Sequence, residues 1–345
     1  MPYAQIAAIE FHLPDQVLAN DELADIYSGW TAEAIEQKLG VRTRRIAAEG
    51  ETSGDLAVRA AEKLFRRIDG LRDQVDFLIF CTQEPDHFLP TTACLMQHRL
   101  GLPNSCGAFD FNLGCSGFIY GLSLARGLIE TGEARNVLLL TGSTYSKFIN
   151  PKDRVSRPLF GDGAAATLVR SVDQPSGGGP WIGPFVFGTD GSGGDLLMVP
   201  AGGLRMPATA ETAIEQTDSK GGVRSKNQLY MHGPGVFSFS VDRVPPLVQE
   251  LLDKAGLKRD DVDLYVFHQA NKFMLERLRK QCGLNADRFM IDMLDRGNTV
   301  SSTIPIALVD AQTSGRLNHN ARVMLVGFGV GLSWAATLAV LPDGV

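Results

Sequence analysis

Residues 74–83 read QVDFLIFCTQ, and residues 261–270 read DVDLYVFHQA, 187 positions further along the chain. Each stretch is a short apolar run that ends in polar residues, a pattern typical of a strand buried on both faces. A second pair, ARNVLLLTGS at 134–143 and NARVMLVGFG at 320–329, recurs after 186 positions. Because separate segments repeat at nearly one offset, the sequence predicts two similar halves related by a pseudo-twofold axis.

The order of patterns along the chain predicts α/β architecture. Strand-like runs alternate with helical periodicity, and apolar strands of this kind need helices on both faces of their sheets. The predicted strands are 75–80, 136–140, 262–267 and 322–326, and the predicted helices are 53–65, 116–130, 246–255, 272–281 and 304–314. The halves are expected at 1–172 and 173–345. The Gly- and Pro-rich stretch 174–222 is interpreted as a surface excursion that links them.

Composition excludes several classes of protein. The chain has 345 residues, 44% of them hydrophobic, which is enough for a large core. A net charge of −6 argues against a nucleic-acid binder. The N-terminus lacks a signal-peptide pattern and no apolar run reaches about 18 residues, so we expect a cytoplasmic protein without a membrane span. Five cysteines without a CxxC pair argue against a disulfide scaffold and against a zinc site.

The stretch DFNLGCSGFIYGL at 110–122 puts a cysteine where a strand gives way to a helix. Glycines on either side, Gly114 and Gly117, permit a tight turn and a close backbone approach. The N-terminus of a helix favours an anion, so we expect a lowered pKa for the thiol of Cys115. A buried structural cysteine is the alternative, and this segment alone does not decide between the two.

Two further segments carry polar side chains at comparable positions. His268 directly follows an apolar strand, at the edge where open α/β sheets bind ligands. Asn298 lies in a Gly-Asn turn before a helix, where a helix cap is the simpler interpretation. Together with Cys115 they make a workable set, in which a thiol attacks and two N–H groups stabilise a developing oxyanion. In GFGVGLSW at 327–334, the N–H of Val330 is a candidate second oxyanion donor with that of Cys115.

The chain resembles β-ketoacyl-acyl-carrier-protein synthase III, a condensing enzyme of the thiolase superfamily. This resemblance implies a five-layered α/β/α/β/α sandwich and a homodimer. The matching segments run in order over nearly the whole chain: GVRTRRIA (40–47), NLGCSGFIYGL (112–122), FGDGAAATLV (160–169), GTDGSGGDLL (188–197), MHGPGVFSFSV (231–241), HQAN (268–271), GNTVSSTIPIAL (297–308) and GFGVGLSW (327–334).

The resemblance also implies roles for individual residues. Cys115 is the nucleophile that carries the acyl group. His268 and Asn298 bind the thioester carbonyl of malonyl-carrier protein and stabilise the enolate that forms when carbon dioxide leaves. Acyl-coenzyme A or acyl-carrier protein supplies the acyl group, and no separate cofactor is expected. Further positions are expected to bind substrate (Lys38, Leu89, Phe111, Asn271 and Phe273), to line the acyl channel (Ile149, with Leu89 reaching across the dimer) and to dock the carrier protein (Lys272, Arg279 and Lys280).

The chain departs from the family pattern at the expected coenzyme A entrance. Ala34 and Lys38 stand where the family usually has tryptophan and arginine, and Trp30 is near but out of register. A lysine meets phosphate as a point charge rather than as a bidentate fork, which weakens the case for acetyl-coenzyme A as primer. Val330 occupies a position that is often glycine, but its backbone N–H remains.

Four other functions are compatible with parts of the pattern. Cys115 could pass its acyl group to an alcohol or amine without forming a carbon–carbon bond, or the condensation could serve specialised metabolism. A hydroxymethylglutaryl-type synthase needs a carboxylate near the nucleophile; Glu84 is one residue out of position, and we interpret it as a surface-loop residue. A non-enzymatic scaffold of the same fold predicts a lost nucleophile, whereas Cys115, His268 and Asn298 are all present.

Overall fold

The computed structural model describes residues 2–27, 29–173, 182–218, 221–318 and 320–342. Within these ranges the strands are β1 (Tyr3–His12), β2 (Gln16–Ala19), β3 (Thr43–Ile46), β4 (Phe77–Cys81), β5 (Gly107–Phe111), β6 (Asn136–Ser143), β7 (Gly163–Val172), β8 (Ile182–Thr189), β9 (Leu197–Met198), β10 (Gln216–Thr217), β11 (Val223–Arg224), β12 (Tyr230–Met231), β13 (Leu264–Phe267), β14 (Ala321–Gly329) and β15 (Ser333–Leu341). The α-helices are α1 (Asn20–Ile26), α2 (Ala32–Leu39), α3 (Ser53–Arg67), α4 (Thr92–Arg99), α5 (Gly117–Glu130), α6 (Gly233–Ala255), α7 (Lys272–Gln281) and α8 (Thr303–Thr313).

Two sheets with the same internal order carry the fold. The first runs β1-β7-β6-β4-β5 and the second runs β8-β15-β14-β13. In each sheet one pair is parallel (β4 with β6, β13 with β14), and the next two pairings along the sheet are antiparallel. The repeated sequence segments fall on β4 and β13 and on β6 and β14, so the internal repeat corresponds to a repeat of topology. The expected boundary at 172/173 falls between β7 and β8.

Helices cover both sheets and form three separate apolar cores. One core packs α3 and α4 on the outer face of the first sheet. A second lies between the sheets and contains α5 and α8. The third packs α6 and α7 on the outer face of the second sheet. The predicted five-layered thiolase-like sandwich is therefore confirmed. It also explains why α5 and α8 are apolar nearly all round, because each helix has a sheet on either side.

Helix α6 is longer than the sequence predicts. The sequence predicts a start at 246, yet the helix begins at Gly233 and runs through Pro245 and Pro246. The residues Phe239, Val244 and Leu247 are buried against the second sheet. This burial, worth about 1.5–3 kcal/mol for each large side chain, outweighs the hydrogen bonds that the two prolines remove. Helix α7, by contrast, has the predicted bounds of 272–281.

The stretch between the halves is more than a surface excursion. Leu197 in β9 is buried in the outer core of the second sheet. The strand pairs with β12 next to the start of α6. Residues 174–181 and 219–220 of this stretch lie outside the described residues. The linking segment therefore contributes a wall to the interior, which its Gly-rich composition did not indicate.

Candidate active site

Cys115 lies between the carboxyl end of β5 and the first residue of α5. It is buried, with 4% of its surface exposed. The last residue of β14 packs directly against it: a Cβ on Gly329 would fall 2.8 Å from both Cβ and Sγ of Cys115. The hydroxyls of Ser116 and Ser333 lie 2.6 Å apart and join the start of α5 to β15. The glycine-rich end of the second sheet therefore holds Cys115 of the first half in place.

The thiol of Cys115 is neutral in the resting structure. Burial raises the pKa of Cys115 to about 12, and the backbone N–H groups of Val330 and of Cys115 itself lower it in part. The net direction is opposite to our expectation from the sequence. Beneath two sheets the thiolate loses more solvation than nearby N–H groups restore. The same N–H groups are the two proposed oxyanion donors, and both reach the sulfur.

His268 and Asn298 reach the site from the second half. The N–H of His268 donates to the carbonyl of Val326 at 2.7 Å, which extends the β13–β14 pairing by one residue. Nδ2 of Asn298 lies 3.4 Å from Nε2 of His268. The N–H of Val300 donates to Oδ1 of Asn298 at 2.9 Å, so the amide NH₂ faces the imidazole. Burial lowers the pKa of His268 to about 3, and the carbonyl of Val300 opposes this in part, so the ring is neutral.

The loop that carries Asn298 is fixed by the first half. The N–H of Asn298 donates to the carbonyl of Leu159 at 2.9 Å, and its carbonyl accepts from the N–H of Gly161 at 3.1 Å. Gly297 before it has a φ of +67°, and a Cβ there would fall 2.7 Å from the oxygen of Leu159. The turn therefore needs glycine both for its conformation and for space.

The three side chains open into one cavity. A space of about 80 Å³ is lined by Cys115, His268 and Asn298. Apolar residues form most of the remaining wall: Leu159, Phe160, Leu197, Met231, Val236, Ala270, Met274 and Phe328. Because the walls are apolar and the polar groups few, interactions with a bound carbonyl are stronger here than in water.

A second cavity of about 330 Å³ adjoins the first, with Leu197 in both walls. Its lining includes Gln83, Tyr145 and Val330. A Cβ on Gly114 would fall 2.5 Å from Oε1 of Gln83 and from Cγ1 of Val330. The wall of this cavity thus reaches Gly114, the residue that precedes Cys115.

The two expected substrate-binding residues of α7 occupy different positions. Asn271 lines the cavity, and its Oδ1 accepts the N–H of Met274 at 2.8 Å as the cap of α7. Phe273 is 66% exposed and stacks on Phe237, with ring centroids 5.6 Å apart. Asn271 therefore lines the cavity, whereas Phe273 lies on the surface beside α6, the helix that forms part of the cavity wall.

Trp30 and Lys38 are adjacent in space although they are out of register in sequence. The Nζ of Lys38 lies 5.0 Å from the centroid of the Trp30 ring. A Cβ on Gly40, which ends α2, would fall against the side chain of Lys272, so this pair stands beside α7. An aromatic surface and a cation are thus both present near the start of α7. The sequence alone, with Ala34 in the usual tryptophan position, predicts that the aromatic group is lost.

Within the described chain, the expected acyl-channel residues do not line the cavity that contains Cys115. Leu89 is 87% exposed on a loop, as is its neighbour Phe88 at 82%. Phe111 packs against the core between the sheets, and Ile149 is buried in the outer core. Within the described residues, neither Phe111 nor Ile149 lines either of the two cavities.

The basic residues of α7 differ in their surroundings. Lys272 and Lys280 are exposed. The guanidinium of Arg279 instead pairs with Glu276 at 2.9 Å and donates to the carbonyl of Leu284 at 3.0 Å. Its charge is therefore committed within the chain. Arg277, on the exposed side of the helix, was not identified from the sequence.

Glu84 lies in a loop, as expected, but it is half-buried and its carboxyl group is hydrogen-bonded within the protein rather than free on the surface. Its Oε1 accepts hydrogen bonds from the hydroxyl of Ser143 at 3.0 Å and from the N–H of Thr144 at 3.1 Å. Burial of the carboxyl group raises the pKa of Glu84 to about 7, although these hydrogen bonds oppose the rise. The carboxylate ties the end of β4 to the end of β6, a role visible only once the two strands are paired.

A five-layered sandwich in which a buried cysteine lies just before a central helix, beside a histidine and an asparagine, is typical of a condensing enzyme of the thiolase superfamily. Two sequence profiles agree. The one described as 3-oxoacyl-[acyl-carrier-protein (ACP)] synthase III matches residues 109–191, and the one for the C terminal part of that protein matches residues 252–341. The chain belongs to the 3-oxoacyl-[acyl-carrier-protein] synthase III family.

Individual relatives match over nearly the whole chain. A β-ketoacyl-[acyl-carrier-protein] synthase III of Caldanaerobacter subterraneus subsp. tengcongensis is 37% identical over 330 residues, which are 95% of this chain and 94% of the relative. A crystal structure of a 3-oxoacyl-(acyl-carrier-protein) synthase III is 53% identical, with a TM-score of 0.95 over 99% of this chain and 100% of the other. The priming β-ketosynthase of the R1128 polyketide biosynthetic pathway is 30% identical, with a TM-score of 0.85 over 99% and 97%.

The described part of the chain contains no helix long and apolar enough to cross a membrane.

Proposed function

We propose that the protein catalyses the decarboxylative condensation of an acyl thioester with malonyl-carrier protein to give a β-ketoacyl thioester. The observation that supports this most strongly is the meeting of Cys115, His268 and Asn298 in one apolar cavity. The reaction initiates fatty-acid or polyketide-type synthesis. It is a form of acyl transfer in which the acceptor is a carbon atom.

In the first half-reaction the sulfur of Cys115 attacks the carbonyl carbon of the acyl thioester. The carbonyl oxygen becomes negative and accepts hydrogen bonds from the N–H groups of Cys115 and Val330. Collapse of this intermediate breaks the bond to the departing sulfur, which leaves as a thiol with the proton that Cys115 gives up. The raised pKa of Cys115 implies that this proton stays on sulfur until the thioester is bound.

In the second half-reaction the thioester carbonyl of the malonyl group accepts hydrogen bonds from His268 and Asn298. Breaking the carbon–carbon bond to the carboxylate releases carbon dioxide and leaves its electron pair in an enolate, whose charge rests on that carbonyl oxygen. The enolate carbon attacks the acyl group on Cys115. The sulfur of Cys115 leaves as a thiolate and takes a proton from solvent, which regenerates the neutral thiol.

Substrate contacts outside the cavity follow from its surroundings. We propose that the acyl chain enters the second cavity, beside Gln83 and Tyr145. The ring of Trp30 and the cation of Lys38 are proposed to contact the donor's phosphate-bearing part, as acyl-coenzyme A or acyl-carrier protein. Lys272 and Lys280 are proposed to meet the acidic surface of the carrier.

The oligomeric state and the cellular location are proposed from the family and from the exposed surface. The exposed pair Phe88 and Leu89 is proposed to be covered by a second copy in a homodimer, with Leu89 reaching the partner's acyl channel. We propose a cytoplasmic location, no separate cofactor, and Asn271 as a substrate contact.

The test is covalent loading from a panel of acyl thioesters, measured by intact mass, followed by addition of malonyl-carrier protein. We expect one acyl group on the wild type, then release of carbon dioxide and a β-keto product. Cys115→Ala should load nothing, whereas Cys94→Ala, which changes an exposed cysteine, should load normally. Loading that survives Cys115→Ala, or transfer to an alcohol or amine without carbon dioxide, contradicts the proposal.

A further inference from the structure

The hydroxyl of Thr303 stands between two acceptors and carries a single proton. Its Oγ1 lies 2.7 Å from Nδ1 of His268 and 3.0 Å from the carbonyl oxygen of Val300, three residues back. All three residues are buried. The proton can go to the imidazole or to the carbonyl, and each choice fixes a different tautomer of His268.

If the hydroxyl donates to Val300, its oxygen must accept from Nδ1–H, and Nε2 is left with a bare lone pair. If it donates to Nδ1, the ring proton must reside on Nε2. The ring is neutral because burial lowers the pKa of His268 to about 3. The tautomer, and not the charge, is therefore the variable that decides what Nε2 presents to the cavity.

Distances favour the second arrangement. The hydroxyl lies closer to Nδ1 than to the carbonyl of Val300, so we assign its proton to the shorter contact. Nδ2 of Asn298 lies 3.4 Å from Nε2, longer than the usual N–H bond of about 2.7–3.2 Å to a bare lone pair. Two N–H groups at this separation, both facing one cavity, are suited to sharing a single oxygen.

We infer that Thr303 is a positioning residue, whose hydroxyl donates to Nδ1 of His268 and thereby holds the ring proton on Nε2, where it faces the thioester carbonyl. This inference rests on the proposed function, since only a carbonyl bound in the cavity needs the proton on Nε2. Val300 supplies the competing acceptor, and its N–H also orients the amide of Asn298. The backbone of one residue, Val300, thus contacts both halves of the donor pair through its N–H and its carbonyl, and Thr303 decides the balance.

Thr303→Val removes the hydroxyl and keeps the shape. Nδ1 is then left facing only the carbonyl of Val300, which accepts and cannot donate. The ring proton should move to Nδ1, and Nε2 should turn a lone pair towards the substrate oxygen. Removal of one oxyanion donor costs roughly 10²–10³-fold in rate, so we expect malonyl decarboxylation to fall by about 10²-fold, while loading of Cys115 changes by less than about threefold.

Two variants separate this effect from simple damage to the fold. Thr303→Ser keeps the hydroxyl and should restore decarboxylation to within about threefold of wild type. Ser302→Ala removes the neighbouring buried hydroxyl, which contacts Thr141 at 2.9 Å and does not face the imidazole. It should leave both steps unchanged.

The decisive measurement is the tautomer of His268 in the resting enzyme, by ¹⁵N chemical shifts of labelled histidine with His268→Gln to assign the signal among six histidines. We expect Nε2–H in the wild type, Thr303→Ser and Ser302→Ala, and Nδ1–H in Thr303→Val. The same tautomer in wild type and Thr303→Val overturns the inference whatever the activities are. A wild type that shows the expected tautomers but never decarboxylates malonyl-carrier protein overturns the proposed function instead.

Discussion

Gly329→Ala places one methyl group against the nucleophile. The new Cβ would lie 2.8 Å from Cβ and Sγ of Cys115. Ordinary contacts between such atoms are about 3.5–4.0 Å, so the thiol or the strand must shift by roughly 0.7–1.2 Å. The φ of Gly329 is not positive, so alanine fits the backbone and only the contact changes. A misplacement of about 1 Å can cost 10²-fold in rate.

We therefore expect loading of Cys115 by an acyl thioester to slow by about 10²-fold, with a loss of about 1–3 kcal/mol in the free energy of unfolding from overpacking. Loading is measured by quenched intact mass and stability by urea unfolding on the same sample.

Gly127→Ala is the matched control. It makes the same chemical change within α5, at a position where a Cβ would meet nothing within 4 Å. It should load normally and gain about 0.5–1 kcal/mol, because alanine suits a helix better than glycine. Wild-type loading by a folded Gly329→Ala would refute the tight packing of Cys115 against the end of β14.

Three further outcomes follow from the same structure. In the wild type the free energy of unfolding should rise between about pH 3 and 6.5, because an unfolded histidine binds a proton in that window and the buried ring of His268, with its pKa lowered to about 3, does not. His268→Gln should flatten this rise in urea titrations, and an unchanged dependence of the unfolding free energy on pH would contradict burial of a neutral ring. Trp30→Ala should raise the KM for coenzyme A-linked donors by about two- to fivefold and spare kcat, because Lys38 then loses the exposed cation–π contact with the Trp30 ring. An equal effect on a minimal thioester that lacks phosphate would contradict a role of this pair in binding the phosphate-bearing part of the donor. Replacement of Lys272 and Lys280 by glutamate should weaken carrier-dependent turnover, most strongly at low salt. The control Lys226→Glu should leave that turnover unchanged, and an equal loss in the control would contradict docking of the carrier on α7.

Much of the fold can be predicted from the sequence, because buried strands appear as short, continuous apolar runs. The apolar runs at 136–140 and 322–326 fall within β6 and β14, and the repeat between them mirrors the repeat of strand order. Helix α7 is bounded by a capping asparagine and a clear periodicity. The predicted start of α6 is wrong, because burial of its apolar residues against the second sheet outweighs the tendency of proline to interrupt a helix.

The site is less accessible to sequence reasoning. A cysteine at a strand–helix junction and a histidine at a strand end carry local signals. Thr303 carries none, since a threonine at the start of a helix is ordinary, and its importance depends on the imidazole that the fold brings to it. The raised pKa of Cys115 also escaped prediction, because desolvation depends on layers that no single segment reveals.

The central claim is that Cys115 holds the acyl group while His268 and Asn298 generate the carbon nucleophile in the same cavity. A single-turnover chase tests it most directly: the enzyme is acylated, freed of donor, and mixed with malonyl-carrier protein while intact mass and β-keto product are followed together. We predict that wild type loses its acyl group as product forms in equal amount, and that His268→Ala and Asn298→Ala load but remain acylated. Discharge of either variant at the wild-type rate would contradict the account.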